Sequence, residues 1–131
     1  MSRRMVWGPT FEEMLHPGKI DPTIREKALA AKEGDPLNEI NLYNITWKRP
    51  DGKPCYIVLP KELTGVDANI IALYGRDFPT SSHKVGATYT VTMEKQLLGE
   101  ITPGEHTLVY PSTGNYGIGG AWVGPRMGYD S

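Results

Sequence analysis

The chain has 131 residues, long enough for a domain with its own core, and its fifteen glycines and eleven prolines make up about a fifth of the sequence. That share falls short of the quarter or more that marks low complexity. Fourteen basic against fifteen acidic residues leave a net charge of −1, so neither a nucleic-acid backbone nor an anionic membrane surface is indicated as a partner.

Cys55 is the single cysteine; it has no internal disulfide partner, and a reducing, cytoplasmic setting is expected. The start, Met1-Ser2-Arg3-Arg4-Met5-Val6-Trp7-Gly8, turns to Gly-Pro and acidic residues where a signal peptide would carry its apolar segment. No run has the length of apolar sequence that crosses a bilayer.

Residues 1–19, with Pro9, Pro17, Gly8 and Gly18 around Phe11-Glu12-Glu13-Met14-Leu15, read as an arm with a turn or two of helix that packs on another part of the molecule. A short helix is expected from Pro22 to Lys32: Asp21 suits the cap, Pro22 the first helical position, and Gly34 the stop. Leu42-Tyr43-Asn44-Ile45-Thr46-Trp47 and Cys55-Tyr56-Ile57-Val58-Leu59 flank the turn signal Pro50-Asp51-Gly52-Lys53, which predicts a hairpin. Beyond Pro60 strand and helix alternate. Asn69–Tyr74 reads as a buried strand, Ser82–Leu98 as a helix, His106–Tyr110 as a second strand and Asn115–Gly124 as a glycine-rich helix. This order predicts an α/β fold, part of a three-layer sheet, with residues 1–65 as an N-terminal extension and 66–131 as the start of the α/β domain. Two strands do not complete such a sheet, so the chain is expected to be the N-terminal piece of a longer protein.

Two runs carry the chemistry. In Pro79-Thr80-Ser81-Ser82-His83-Lys84, Ser81 or Ser82 suits a helix cap, which puts Lys84 in the first turn. The dipole there disfavours a cation by about 0.3–1 kcal/mol at an exposed site, which favours a nucleophilic amine. A solvated lysine at a helix start is the plain alternative, as a packed neutral imidazole is for His83. In Ser112-Thr113-Gly114-Asn115-Tyr116 the hydroxyls, the Asn115 amide and the backbone amides at a helix start suit a carboxylate or phosphate, with Gly114 permitting close approach. A tight strand-to-helix turn would explain the same residues. The glycines at 114, 117, 119 and 120 do not fit a dinucleotide fingerprint or a P-loop. His16, His83 and His106 lack a second ligand at metal spacing, so no metal is expected.

Strand, Pro-Thr-Ser-Ser-His-Lys, helix, strand and Ser-Thr-Gly-Asn-Tyr-Gly together resemble the opening of the fold type II pyridoxal-phosphate enzymes, the tryptophan synthase β-subunit superfamily, over residues 66–131. The resemblance implies pyridoxal 5'-phosphate held on Lys84 as a Schiff base, with Lys84 later moving the Cα proton of an amino-acid substrate. It implies that Asn115 meets the cofactor's phenolic oxygen, that His83 lies near its phosphate, and that Ser112, Thr113, Gly114, Asn115 and Tyr116 surround the substrate carboxylate. The reaction implied is β-replacement or β-elimination of the cysteine synthase kind, in an enzyme that is commonly a homodimer. Val85-Gly86 stands where cysteine synthases carry Asp-Arg, and Gly114-Asn115 where tryptophan synthases carry Gly-Gln. A tryptophan synthase β-like or threonine-processing enzyme, and a non-catalytic α/β module that binds an anion or a partner, therefore stay open. The family's phosphate loop comes later in the chain than these motifs, so the 131 residues alone are expected to be inactive.

Overall fold

A computed structural model describes residues 4–49 and 51–131. The chain is a mixed helix-and-strand protein, and the described residues form five α-helices: α1 (Phe11–Leu15), α2 (Pro22–Gly34), α3 (Lys61–Thr64), α4 (Lys84–Leu97) and α5 (Asn115–Arg126). Two short strands, β1 (Tyr56–Leu59) and β2 (Ile70–Leu73), and 3-10 turns at Pro17–Lys19 and Glu39–Asn44 complete it.

Local chemistry explains the first half. Thr10 and Glu13 form a reciprocal capping box on α1. Asp21 accepts hydrogen bonds from the Thr23 and Ile24 amides at 2.8 and 3.2 Å, and Pro22 takes the first position of α2. The hairpin expected from 42–47 and 55–59 does not form. Of its turn, Pro50 lies outside the described residues, while Arg49 and Lys53 are joined by a backbone bond of 2.9 Å. Leu42–Asn44 belongs instead to a 3-10 turn capped by Asn38. Buried Asn44 donates to the Ala28 carbonyl at 2.7 Å, and Asn41 to the Asp35 carbonyl at 2.8 Å. Those side-chain bonds satisfy carbonyls in α2 and at its C-terminal cap and hold the segment against that helix, an outcome open to Asn but not to Val or Ile.

β1 pairs with β2 in an antiparallel register that places Tyr56 opposite Leu73 and Leu59 opposite Ile70. The chain returns through α3, which Gly65 ends at a φ of 70°, a left-handed value that suits glycine. The buried strand expected at 69–74 is thus half of an exposed two-stranded ribbon: Ile57, Val58, Ile71 and Leu73 are each at least half exposed. His106–Tyr110 forms no ladder, and Thr107 makes one isolated bridge to Asp130. A three-layer sheet is therefore not assembled among the described residues.

One buried cluster draws on both halves: Val6, Met14, Leu42 and Ile45 meet Val85, Tyr89, Val123, Met127 and Tyr129. The N-terminal arm is strapped onto α4 by polar bonds at the edge of this core. Tyr89 donates to the Pro9 carbonyl at 2.8 Å, Gln96 to the Val6 carbonyl at 3.0 Å, and Tyr129 to Gln96 Oε1 at 2.8 Å. No helix among the described residues is long and apolar enough to cross a membrane.

Burial pushes the Tyr89 phenol far above its ordinary value of 10.0 and raises Tyr110 and Tyr129 as well. A phenol whose pKa is higher in the folded state contributes stability that is complete below the unfolded value, about 10, and is lost as pH rises through the folded value. Denaturant unfolding followed from about pH 8 to 12 should show stability falling above pH 10. Tyr89→Phe should lose roughly 1 kcal/mol at neutral pH through its missing bond to Pro9, yet decline less steeply in base.

Candidate functional site

The positions of Lys84 and the 112–116 loop follow from how closely α4 and α5 approach. A Cβ on Gly119 would stand 2.8 Å from Thr88 Oγ1, 3.1 Å from the Lys84 carbonyl oxygen and 3.1 Å from Val85 Cα. On Gly120 it would lie 2.2 Å from the ring of Tyr110, whose hydroxyl bonds Thr92 on α4 at 2.7 Å. At the other end Tyr129, just beyond α5, reaches Gln96 near the end of α4. The helices therefore run side by side in the same direction, with both N-termini at one end.

Lys84 is the first residue of α4. Its backbone amide donates to Ser82 Oγ at 3.3 Å, while its exposed amine has no hydrogen bond or ion pair with any described residue. The loop before it is held tightly. Ser81 adopts a φ of 53°, and a Cβ on Gly75 would lie 2.7 Å from the His83 nitrogen. A left-handed serine beside a backbone contact of that kind fixes where α4 begins.

The start of α5 is arranged differently. Gly114 occupies the cap and supplies no side-chain bond, which leaves the amides of Asn115, Tyr116 and Gly117 without an intrahelical acceptor. Ser112 Oγ accepts from the Gly114 amide at 3.1 Å and so shapes the turn, and Gly117 lies against Ser112. Thr113 and Asn115 are exposed, with no bond from their side chains to described residues. Tyr116 packs edge-on against Tyr110, centroids 5.9 Å apart. From Gly119 back to Asn115 is about one helical turn, roughly 6 Å, so the Lys84 backbone and the loop share one end of the helix pair.

His83 is placed apart from the loop. It lines a cavity of about 260 Å³ with Trp47, Tyr74 and Phe78, and Trp47 and Phe78 meet edge-to-face at 5.3 Å. No described hydrogen bond joins Lys84 or His83 to Ser112, Thr113, Asn115 or Tyr116. Gly75 and Tyr110 are positioning residues that sequence reasoning missed. Gly75 follows an apolar run and reads as a strand end, and Tyr110 reads as an ordinary strand aromatic. Among the described residues no cluster of three or more His, Cys, Asp or Glu could hold a metal ion.

Chemically, an accessible primary amine reacts with carbonyls, and an uncapped helix start attracts anions. No protein-family model matches the chain, and no solved structure matches it.

The helix contact can be tested through glycine. Alanine is favoured over glycine inside a helix by about 1 kcal/mol, but at Gly120 the added methyl meets the Tyr110 ring, and overpacking of this kind costs about 1–3 kcal/mol. Gly120→Ala should lower the melting temperature. Gly34→Ala, at a position with open space around it, should leave it unchanged or raise it.

Proposed function

We propose that the chain is the N-terminal portion of a pyridoxal-phosphate-dependent enzyme of the cysteine synthase kind that carries out β-replacement or β-elimination on an amino acid. The observation that supports this reading is that Lys84, whose exposed amine has no partner among the described residues, and the uncapped start of α5 preceded by Ser112 and Thr113 share one end of the helix pair. Bound pyridoxal phosphate supplies an aldehyde for the amine and a ring that stabilises negative charge at the substrate Cα.

The chain's own residues have distinct parts. Lys84 holds the cofactor covalently and, once free, carries the Cα proton. The Asn115 amide donates to the cofactor's phenolic oxygen. The amides at the start of α5, with the Ser112 and Thr113 hydroxyls, hold the substrate carboxylate, where the helix dipole favours negative charge. His83 lines a mainly apolar cavity, a poor setting for a phosphate dianion, so the phosphate-binding group would come from elsewhere in the full-length enzyme. The apolar side chains exposed on β1 and β2 suit a sheet that further chain completes. A cytoplasmic setting and a homodimer of the longer protein complete the proposal.

The uncapped α5 amides would equally serve a non-catalytic module that binds an anion, with Lys84 incidental. Substoichiometric pyridoxal phosphate followed by borohydride reduction and peptide mass spectrometry separates the two. The enzyme reading expects Lys84 to be labelled ahead of the other seven lysines and the preferential label to vanish in Lys84→Ala. Labelling spread evenly over all eight would favour the module.

A further inference from the structure

Arg126, in the last turn of α5, is 7 % exposed, yet no described carboxylate pairs with it. Its Nη1 donates to the Trp122 carbonyl at 2.6 Å, its Nη2 donates to the Pro36 carbonyl, and its guanidinium carbon sits 3.9 Å above the Trp122 ring. These contacts hold the group in place and offset part of the cost of burying it. They use two of its five N–H donors, and Nε is buried with no partner among the described residues. Carbonyls and an aromatic face carry no net charge, so a buried cation is left unbalanced, a costly state unless a counter-ion is supplied. Burial pulls the guanidinium below its ordinary pKa, but an arginine stays charged at neutral pH.

A cavity of about 340 Å³ opens beside it, lined also by Arg4, Leu37, Glu39 and Gly128. Gly128 has a φ of 88°, and a Cβ there would approach the Arg4 carbonyl oxygen to 3.0 Å, so this turn allows the Arg4 backbone to reach the cavity wall. Arg4 and Glu39 form an exposed ion pair. With those two charges matched against each other, Arg126 leaves the described lining of the cavity with one positive charge in excess. Its position at the end of α5 is natural for a cation facing the helix dipole. That role explains the bond to Trp122 but leaves Nε without a partner among the described residues.

We propose that this cavity binds a small oxyanion, a phosphate or carboxylate group, with Arg126 as its buried charge and Arg4 as a second donor released from Glu39. The site lies where α5 ends, at the opposite end of that helix from the 112–116 loop, and does not depend on the pyridoxal-phosphate reading. Its mark is the opposite sign of two exposed substitutions. Glu39→Gln removes the competing carboxylate and frees Arg4, whereas Arg4→Gln removes a donor and leaves Glu39 facing the ligand. Neither residue belongs to the core, so both variants should fold.

The probe is inorganic phosphate, with acetate as the carboxylate arm. Each is titrated into the 131-residue chain against sodium chloride at matched ionic strength, and the melting temperature is followed. The wild type should gain stability with phosphate or acetate beyond the chloride control. Glu39→Gln should shift the half-saturating concentration several-fold lower, and Arg4→Gln several-fold higher. The arm with the larger effect distinguishes phosphate from carboxylate. A purely structural Arg126 is shown, and the proposal overturned, if wild type and Glu39→Gln respond to both anions as they do to chloride, or if the two variants shift in the same direction.

Discussion

The contact on which the rest of the molecule depends is the close approach of α5 to α4 and Tyr110, and glycine is what permits it. Gly119 lets the Lys84 carbonyl and Val85 come within a distance that a methyl group would occupy, and Gly120 receives the face of Tyr110. Helix α5 contains four glycines, Gly117, Gly119, Gly120 and Gly124, each costing about 1 kcal/mol in helix stability relative to alanine. Packing offsets this cost. Val85, Val123, Tyr89 and Met127 are fully buried around the helix pair, and a buried aliphatic side chain contributes about 1.5–3 kcal/mol. A helix this poor in intrinsic propensity therefore forms because of what it packs against, and its position is set by the same contacts.

That position also sets where the two helix starts lie. Because α4 and α5 run in the same direction, their two N-termini emerge together, and these termini differ. The start of α4 is closed by Ser82 and by backbone bonds from Val85 and Gly86. The start of α5, capped by a glycine, is open. The Lys84 backbone thus lies at the same end of the helix pair as the open start of α5. The far end of α5 also presents positive charge, since Arg126 is buried there with no carboxylate partner among the described residues. Both ends of one helix thereby present groups whose hydrogen-bonding capacity the protein does not itself fill.

Much of the helical framework was legible in the sequence because its signals are local. Asp21 and Pro22 mark the start of α2, where the structure begins it, and α4 occupies Lys84–Leu97 within the expected Ser82–Leu98. The starting residue of α5, Asn115, also agrees. The strands were less legible because pairing is set by distant residues. Leu42–Asn44 looked strand-like, but the Asn41 and Asn44 amides found α2 carbonyls, and β1 was left to pair with β2. His106–Tyr110 is apolar enough for a strand, yet the Leu108 amide donates to the Asp130 carbonyl and the segment gains no ladder among the described residues. At the site, Lys84 and the Ser112 loop stood out by residue type and order. Gly75, Tyr110 and Arg126 did not, since their roles rest on what lies opposite them in space.

The most direct test of the helix pairing is a nuclear Overhauser measurement on isotopically labelled chain. Cross-peaks are expected from the Gly119 Hα protons to Val85 and Thr88, and from the Gly120 Hα protons to the Tyr110 ring. If Gly119 and Gly120 show cross-peaks only within α5, the two helix starts are not held together, and the site built on Lys84 and the 112–116 loop has no structural basis.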